Sequence, residues 1–488
     1  MGKLGKFLKV GCLSLMALVL LAMAGLAVFI WHVRRTTPPW PERVPGVRLE
    51  PSRPILREAD VKPDNAYYYI RQLTNWSKTL SVPFEERQRF SAYGYRPNTY
   101  PKSEAWLITN APALQLVAQA AAMTNAQVVT YTPTNMLFSC LTEVLNFGKI
   151  LPFRVQRDAW GQDWSAVSND FHQTIQLAEH LTRGGVLIHA LVGLSVRGIV
   201  LGTARELALR PQTPSVLHRA IIKQLQDLEI QHEPFDETMR QEFRFSYAYL
   251  FHLLREPIPD EELRTFTWTD EDENQLCNYL LRHRLVRRLL GSTTENMTKH
   301  AEAVYSHLLS IAATPQKDLE HDPALALFIG RSATPLICLG DDPLGSVLLL
   351  DGLQIMVENF RRQVDHLCLL RGTQVFLAVC AYRQEHGGQL PKKLEELVPA
   401  YLPQLPSDPF AKDSQTFRYR IEKERWLIWS LGPNQKDDGG RFNLMSPDER
   451  EKHKDEADII FASDEFIKAR ERALSDLEKS KSSSAMGK

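Results

Sequence analysis

The stretch from about Leu369 to Gly440, LLRGTQVFLAVCAYRQEHGGQLPKKLEELVPAYLPQLPSDPFAKDSQTFRYRIEKERWLIWSLGPNQKDDGG, decides the architecture of the last third of the chain. It begins inside a helix. Leu353, Val357, Phe360, Val364 and Leu367 recur at three and four residues, and Val375, Phe376 and Val379 continue the apolar face. Gly387-Gly388 stops that helix, because glycine reaches the left-handed conformation a helix end needs. A short helix, Lys392 to Val398, follows Pro391 and ends at Pro399. Pro403, Pro406 and Pro409 then exclude regular structure. Phe417, Tyr419 and Ile421 alternate with charged residues, and Trp426 to Ser430 is aromatic and aliphatic. These read as two strands joined by a polar turn, Glu422 to Arg425. Gly432-Pro433-Asn434 and Asp437-Asp438-Gly439-Gly440 close the stretch, and Asp458 to Phe461 reads as a further strand.

Tyr382, Gly387, Pro391, Leu394, Leu397, Asp408-Pro409-Phe410, Tyr419, Ser430-Leu431-Gly432, Asp437, Gly439-Gly440 and Asp458-Ile459 stand in a characteristic order. In that order the stretch resembles the C-terminal half of the major pseudopilins of type II secretion (protein G-like). The resemblance covers about a fifth of the chain. It implies a long helix capped by a small antiparallel sheet. It does not extend to the processed N-terminal helix of those proteins, whose glycine-phenylalanine cleavage site and glutamate have no counterpart here. The family's aspartate loop holds calcium. The resemblance therefore implies a Ca2+ site with Asp437, Asp438 and Asp458 as side-chain ligands and backbone carbonyls near Leu431 completing the shell, since calcium takes six to eight hard oxygens. The alternative is a solvated Asp-Gly turn.

Outward from this stretch, 488 residues suggest two or three domains. Lys and Arg number 58, as do Asp and Glu, so no charge excess argues for nucleic acid. Charged residues at 24% and hydrophobic ones at 44% describe a globular chain. Six dispersed cysteines lack zinc spacing; Cys12 falls in the apolar N-terminal run, and the other five read as buried thiols.

Val10 to Trp31 holds no charged residue. Its length spans about 33 Å, enough for a bilayer. Lys3, Lys6 and Lys9 precede it and favour a cytoplasmic N-terminus. The preferred reading is a single-pass signal-anchor in a bacterial inner membrane, with the bulk of the chain extracytoplasmic. A cleaved signal peptide ending near Ala22-Met23-Ala24 is the rival. Residues 36–63 carry seven prolines and read as an extended spacer. Residues 64–350 read as a helical body, its paired helices solenoid-like but without a strict period. Within it, Val186 to Leu209 is apolar enough to raise the question of a second span. His189, Arg197 and Arg205 argue for a central core helix instead. Trp106 to Ala120 and Phe171 to Gly202 are similar to the bodies of bacterial membrane-anchored proteins that combine anchor, spacer, helices and a pseudopilin-like end. That likeness implies architecture and no chemistry.

The expected fold is thus mainly α. It comprises an anchor within 1–35, a spacer (36–63), the body (64–350), an α+β pseudopilin-like module (351–462), and a charged helix with a disordered tail (463–488). No GxSxG, HExxH, P-loop or GxGxxG spacing occurs. His189 reads as a core histidine. His300 and His307 share a helical face but lack a third ligand, and the neighbours Glu179 and His180 point apart. The function that follows is an envelope scaffold or interaction protein, more a binder than an enzyme. It has a membrane contact through its N-terminal helix, a protein partner in the envelope, no nucleic acid, and no ligand the sequence names. The alternative is an envelope hydrolase with its site in a cleft of the helical body.

Overall fold

In a computed structural model, the structure describes residues 40–83, 85–87, 95–131, 140–255, 291–312, 342–422, 425–440 and 458–462, with scattered positions between 23 and 35. It is mainly helical, with one small antiparallel sheet near the C-terminus. The helices are α1 (Ala66–Ile70), α2 (Pro101–Thr109), α3 (Ala111–Ala121), α4 (Leu141–Trp160), α5 (Trp164–Thr182), α6 (Leu187–Ala208), α7 (Ser215–Gln231), α8 (Phe235–Arg255), α9 (Thr294–Ala312) and α10 (Pro343–Glu385). The strands are β1 (Arg418–Glu422), β2 (Arg425–Ser430) and β3 (Ile459–Ala462).

Local chemistry sets most ends. The Asn65 side chain caps α1 by accepting from the Tyr67 N–H, and Asp163 caps α5 by accepting from Ala166. Pro112 sits in the first turn of α3, where its absent N–H leaves nothing unpaired. Gly387, at φ +63°, terminates α10 in the left-handed region. The expected Lys392–Val398 helix is a single 3-10 turn, Leu394–Leu397. α4 continues through Pro152 to Trp160.

The backbone divides into two compact units. One is Met1–Pro51, Thr132–Asn135 and Glu242–Phe360; the other is Ser52–Tyr131, Met136–Gln241 and Arg361–Lys488. Within α10 the division falls between Phe360 and Arg361. The body is shared between the units, and its first half groups with the C-terminal module.

In the second unit α5 is the hub, packing on α1, α3, α4, α6 and α7. Most of these partners are one or two helices away in sequence, and α1 lies farther off. One core joins Phe171 and Ile175 of α5, Leu201 of α6 and Leu225 of α7 to Phe376 of α10 and to Phe417, Trp426 and Phe461 of the sheet. Each such buried side chain contributes about 1.5–3 kcal/mol. Three arginines stitch the same seam. Arg205 donates to Thr373 Oγ1 at 2.6 Å, Arg371 to Glu229 Oε1 at 2.8 Å, and Arg219 to Glu385 Oε2 at 2.8 Å.

The sheet has the order β1-β2-β3, antiparallel throughout. Tyr419 faces Ile428 and Ile421 faces Trp426 across the first pair. The hairpin and the third strand lie where the alternation predicts them.

The connector departs from expectation. Its described residues are packed, not held free as a spacer. In the first unit Trp40 stacks on His300, the Val44 N–H donates to Ser306 Oγ at 2.9 Å, and Leu49 is buried. In the second unit the Ser52 N–H donates to Glu237, and the Thr130 N–H donates to the Leu56 carbonyl. Proline fixes an extended backbone. It does not keep the apolar side chains and N–H groups between prolines from finding partners.

Two helical segments, Leu187–Ala208 and Ile355–Glu385, are long and apolar enough to cross a membrane. Of their apolar windows, 61% and 72% are buried within the protein. The expected anchor and the tail from 463 lie almost wholly outside the described residues, although positions 23–25, 27–29 and 31 are helical.

Candidate functional site

The aspartates singled out from sequence do gather. Asp458, buried just before β3, accepts from the Asp438 N–H at 3.3 Å and the Gly440 N–H at 2.7 Å. Asp437 Oδ1 accepts from Trp429 Nε1 and the Gly439 N–H, each at 3.0 Å, and Asp438 Oδ2 accepts from Asn434 at 2.8 Å. Burial, with the Asp438 and Asp437 charges behind it, pushes the Asp458 carboxyl up to about 6. The donors are hard oxygens of the kind calcium prefers. Yet among the described residues no group of three or more His, Cys, Asp or Glu side chains could hold a metal ion. The carboxylates cap backbone and indole N–H groups. As they stand they do not fit a calcium shell.

The histidines noted from sequence sit apart. His189 is buried with Nε2 3.1 Å from Tyr131 Oη, a core histidine as expected. His300 faces Asp342 at 3.2 Å, whereas His307 donates to the Glu42 carbonyl at 2.9 Å.

A second polar centre lies in the helical bundle. Glu179 of α5 is 1% exposed. Its Oε2 accepts from Arg197 Nη2 of α6 at 2.6 Å and lies 3.1 Å from His232 Nδ1, just past α7. Its Oε1 accepts from the Glu233 N–H at 3.2 Å and is 3.5 Å from Arg183. Burial alone would raise this carboxyl. Arg197, His232 and Arg183 overcome it and hold the group at about 2. Burial and the Arg197 guanidinium lower the pKa of His232, against the pull of Glu179. A carboxylate oxygen accepts, so Nδ1 carries the proton that faces Glu179.

This centre borders an open groove of about 1020 Å³. One wall is the polar face of α5, where His172, Gln176 and His180 recur every four residues before Arg183. The other wall is Gln231 to Glu237 with Arg240, and Ser52-Arg53 and Ala121 to Thr124 close the rim. Glu233 accepts from Arg53 Nε and from the Gly184 N–H at 2.7 Å, and Glu237 accepts twice from the Ser52 N–H. Burial raises the Glu233 carboxyl. Glu237 is held low against burial by the Ser52 and Arg53 N–H groups and by Arg240. His180 is 1% exposed, and burial lowers it to about 4. Its imidazole donates to the Ala120 carbonyl, which leaves Nδ1 buried without a hydrogen-bond partner.

Sequence reasoning did not assemble this groove. Glu179 and His180 do point apart, as expected, but each belongs to a different part of the same site. The four-residue spacing of polar residues along an apolar helix was the one available signal. Comparison with known proteins finds no matching family model, no matching curated protein and no matching solved structure.

Proposed function

We propose that the chain is a membrane-anchored, extracytoplasmic helical scaffold of the bacterial cell envelope. It meets its partners through a pseudopilin-like C-terminal module and serves secretion or surface-appendage machinery. One observation carries most of this reading. Asp408, from the Asp-Pro-Phe turn, accepts from Ser430 Oγ at 2.7 Å and the Leu431 N–H at 3.0 Å, so two pieces of the resemblance meet at one buried carboxylate. The uncharged run from Val10 to Trp31 supplies the anchor.

The test has two parts. Alkaline phosphatase fused after residue 40 should be active, and cross-linking of the anchored chain in intact cells should recover envelope proteins. An inactive fusion removes the extracytoplasmic placement. Cross-links confined to cytoplasmic proteins remove the scaffold.

The groove favours a second reading, an envelope hydrolase. Glu233 and Glu237 are neighbouring carboxyls whose surroundings push their pKa values in opposite directions, a pattern found in acid–base pairs. Against it, both groups are already engaged in holding Ser52, Arg53 and Gly184. Turnover of a chromogenic ester or glycoside that disappears in Glu233→Gln would reverse the order of the two readings.

A further inference from the structure

We propose that a pocket between α2, α4 and α6 binds a short aliphatic carboxylate. The pocket has a volume of about 310 Å³ and lies wholly in the second unit. Its place follows from how α4 meets α6. At Gly148 the two helices touch closely, for a Cβ added there would sit 2.9 Å from Val196 Cγ2. One turn on, Pro152 interrupts the hydrogen-bond ladder of α4, and there Pro152 and Ile199 line the pocket.

Two observations select the ligand, and the first is the wall. Val82, Ile150, Pro152, Phe153 and Ile199 are five of the eight described lining residues, and four of the five are aliphatic. Ile150 and Phe153 are buried, whereas Val82, Pro152 and Ile199 are half-buried. The apolar lining therefore runs from the interior out to solvent, a surface on which an aliphatic chain gains by leaving water.

The second observation is charge. Lys149 lines the same pocket, half-buried, and among the described residues it has no ion-pair or hydrogen-bond partner. Arg87 adds a second cation that is already engaged. Glu86, beside Arg87 in the chain, is committed to the start of α2. Its carboxylate accepts from the Lys102 N–H at 3.1 Å and from the Ser103 N–H and Oγ at 2.7 and 2.9 Å. Lys149 thus brings one unmatched positive charge to an apolar wall. A carboxylate supplies the single opposite charge, whereas a phosphate monoester carries about −1.5 to −2 at pH 7. At about 310 Å³ the pocket lies at the lower end of small-molecule sites, so the chain it takes is short. This inference does not rest on the envelope reading, because the pocket is built within one unit of the chain.

The test uses the full chain in phosphatidylcholine nanodiscs, with empty discs as the blank. Equilibrium dialysis measures octanoate, octanol and octylammonium, which share a chain and differ in charge. Octanoate should bind with a dissociation constant below about 1 mM and at least about fivefold more tightly than either comparator. Butanoate, shorter by four methylenes, should bind at least about tenfold more weakly than octanoate. Lys149→Met should weaken octanoate about fivefold or more and leave octanol within about twofold. Ile199→Trp, which fills the pocket from a half-buried position, should weaken both. Lys223→Ala, on α7, should change neither. Thermal melts confirm that each variant is folded, and Lys149→Met decides the matter if Ile199→Trp is not. Any of four results overturns the proposal: no octanoate bound above the blank by about 10 mM, octylammonium binding as tightly, octanoate binding that survives Lys149→Met within about twofold, or octanoate binding unchanged in a folded Ile199→Trp.

Discussion

Asp408 and Glu179 are both buried carboxylates, 2% and 1% exposed, and they do opposite jobs. Asp408 takes three uncharged donors, the Phe410 N–H, Ser430 Oγ and the Leu431 N–H, at 2.7–3.0 Å. It staples two loops of the C-terminal module. Glu179 takes two arginines and a histidine from α5, α6 and the end of α7. It balances charge inside a helical bundle. Removing a staple should loosen loops, whereas removing a counter-charge strands buried cations.

The largest expected effect follows from that difference. Glu179→Gln leaves Arg197, itself 3% exposed, without its counter-ion. The expected loss is about 3–5 kcal/mol in a urea titration. Replacing Glu179 and Arg197 together by methionine should recover much of it, because a pair removed whole costs far less than a pair broken. If Glu179→Gln costs no more than a surface change, the two carboxylates are not different in kind.

Asp408→Ala should cost about 2–3 kcal/mol, the desolvation penalty of the stranded donors. The loss should also be local. Amide exchange should accelerate at Phe410 and Leu431 while α5 keeps its protection. Uniform acceleration across α5 would show that the staple and the counter-charge share one cooperative unit.

The comparison also explains what could be read from the chain alone. The partners of Asp408 are Phe410, Ser430 and Leu431, 2, 22 and 23 residues away, but they stand in two turns that proline and glycine mark, and turn chemistry is written locally. The hairpin was legible for the same reason, since Phe417, Tyr419 and Ile421 alternate within five residues. The partners of Glu179 lie 4, 18 and 53 residues away. Only the packing of three helices brings them together, and no local pattern encodes that. The connector was misread because its prolines announced an extended backbone. Nothing local announced that Ser52 and Arg53 would lie against Glu237 and Glu233.

Two glycines sharpen the contrast between packed seam and open surface. A Cβ on Gly372 of α10 would sit 2.3 Å from the Phe461 ring of β3, whereas one on Gly202 of α6 meets nothing within 4 Å. Gly372→Ala should destabilise by about 1–3 kcal/mol through overpacking. Gly202→Ala should stabilise by up to about 1 kcal/mol through helix propensity. Equal effects from the two would mean that β3 does not dock on α10.

Acid separates the buried histidines from Glu179. Burial lowers His180 and His218 to about 4 from an ordinary 6.5. Between those values the unfolded chain binds more protons. Their contribution is therefore complete above pH 6.5 and is lost as pH falls toward 4, at about 1.4 kcal/mol per pH unit for each histidine. Glu179 loses its contribution only lower, from 4.5 toward 2. Urea titrations at pH 7 and 5 should show a fall that His218→Phe reduces only in part, because burial also lowers His189, His232 and His366, and that persists in Glu179→Gln. A flat profile would mean that these imidazoles are not held neutral.

The smallest effect belongs to the aspartate loop, where resemblance and geometry pull apart. The resemblance asks Asp437, Asp438 and Asp458 to share a cation. The geometry gives Asp437 the Trp429 indole and the Gly439 N–H, and gives Asp458 the Asp438 and Gly440 N–H groups. A calcium ion would have to displace several of these bonds, and that cost is subtracted from its affinity. With a dissociation constant above about 1 mM, calcium at 1 mM adds less than about 0.4 kcal/mol, a shift of about 1–2 °C in melting temperature. Melting with 1 mM calcium and then with excess chelator measures it. A rise above about 5 °C that Asp458→Asn abolishes would show the oxygens turning from the backbone to a shared ion. The loop would then belong with Glu179 as a charge centre, and not with Asp408 as a staple.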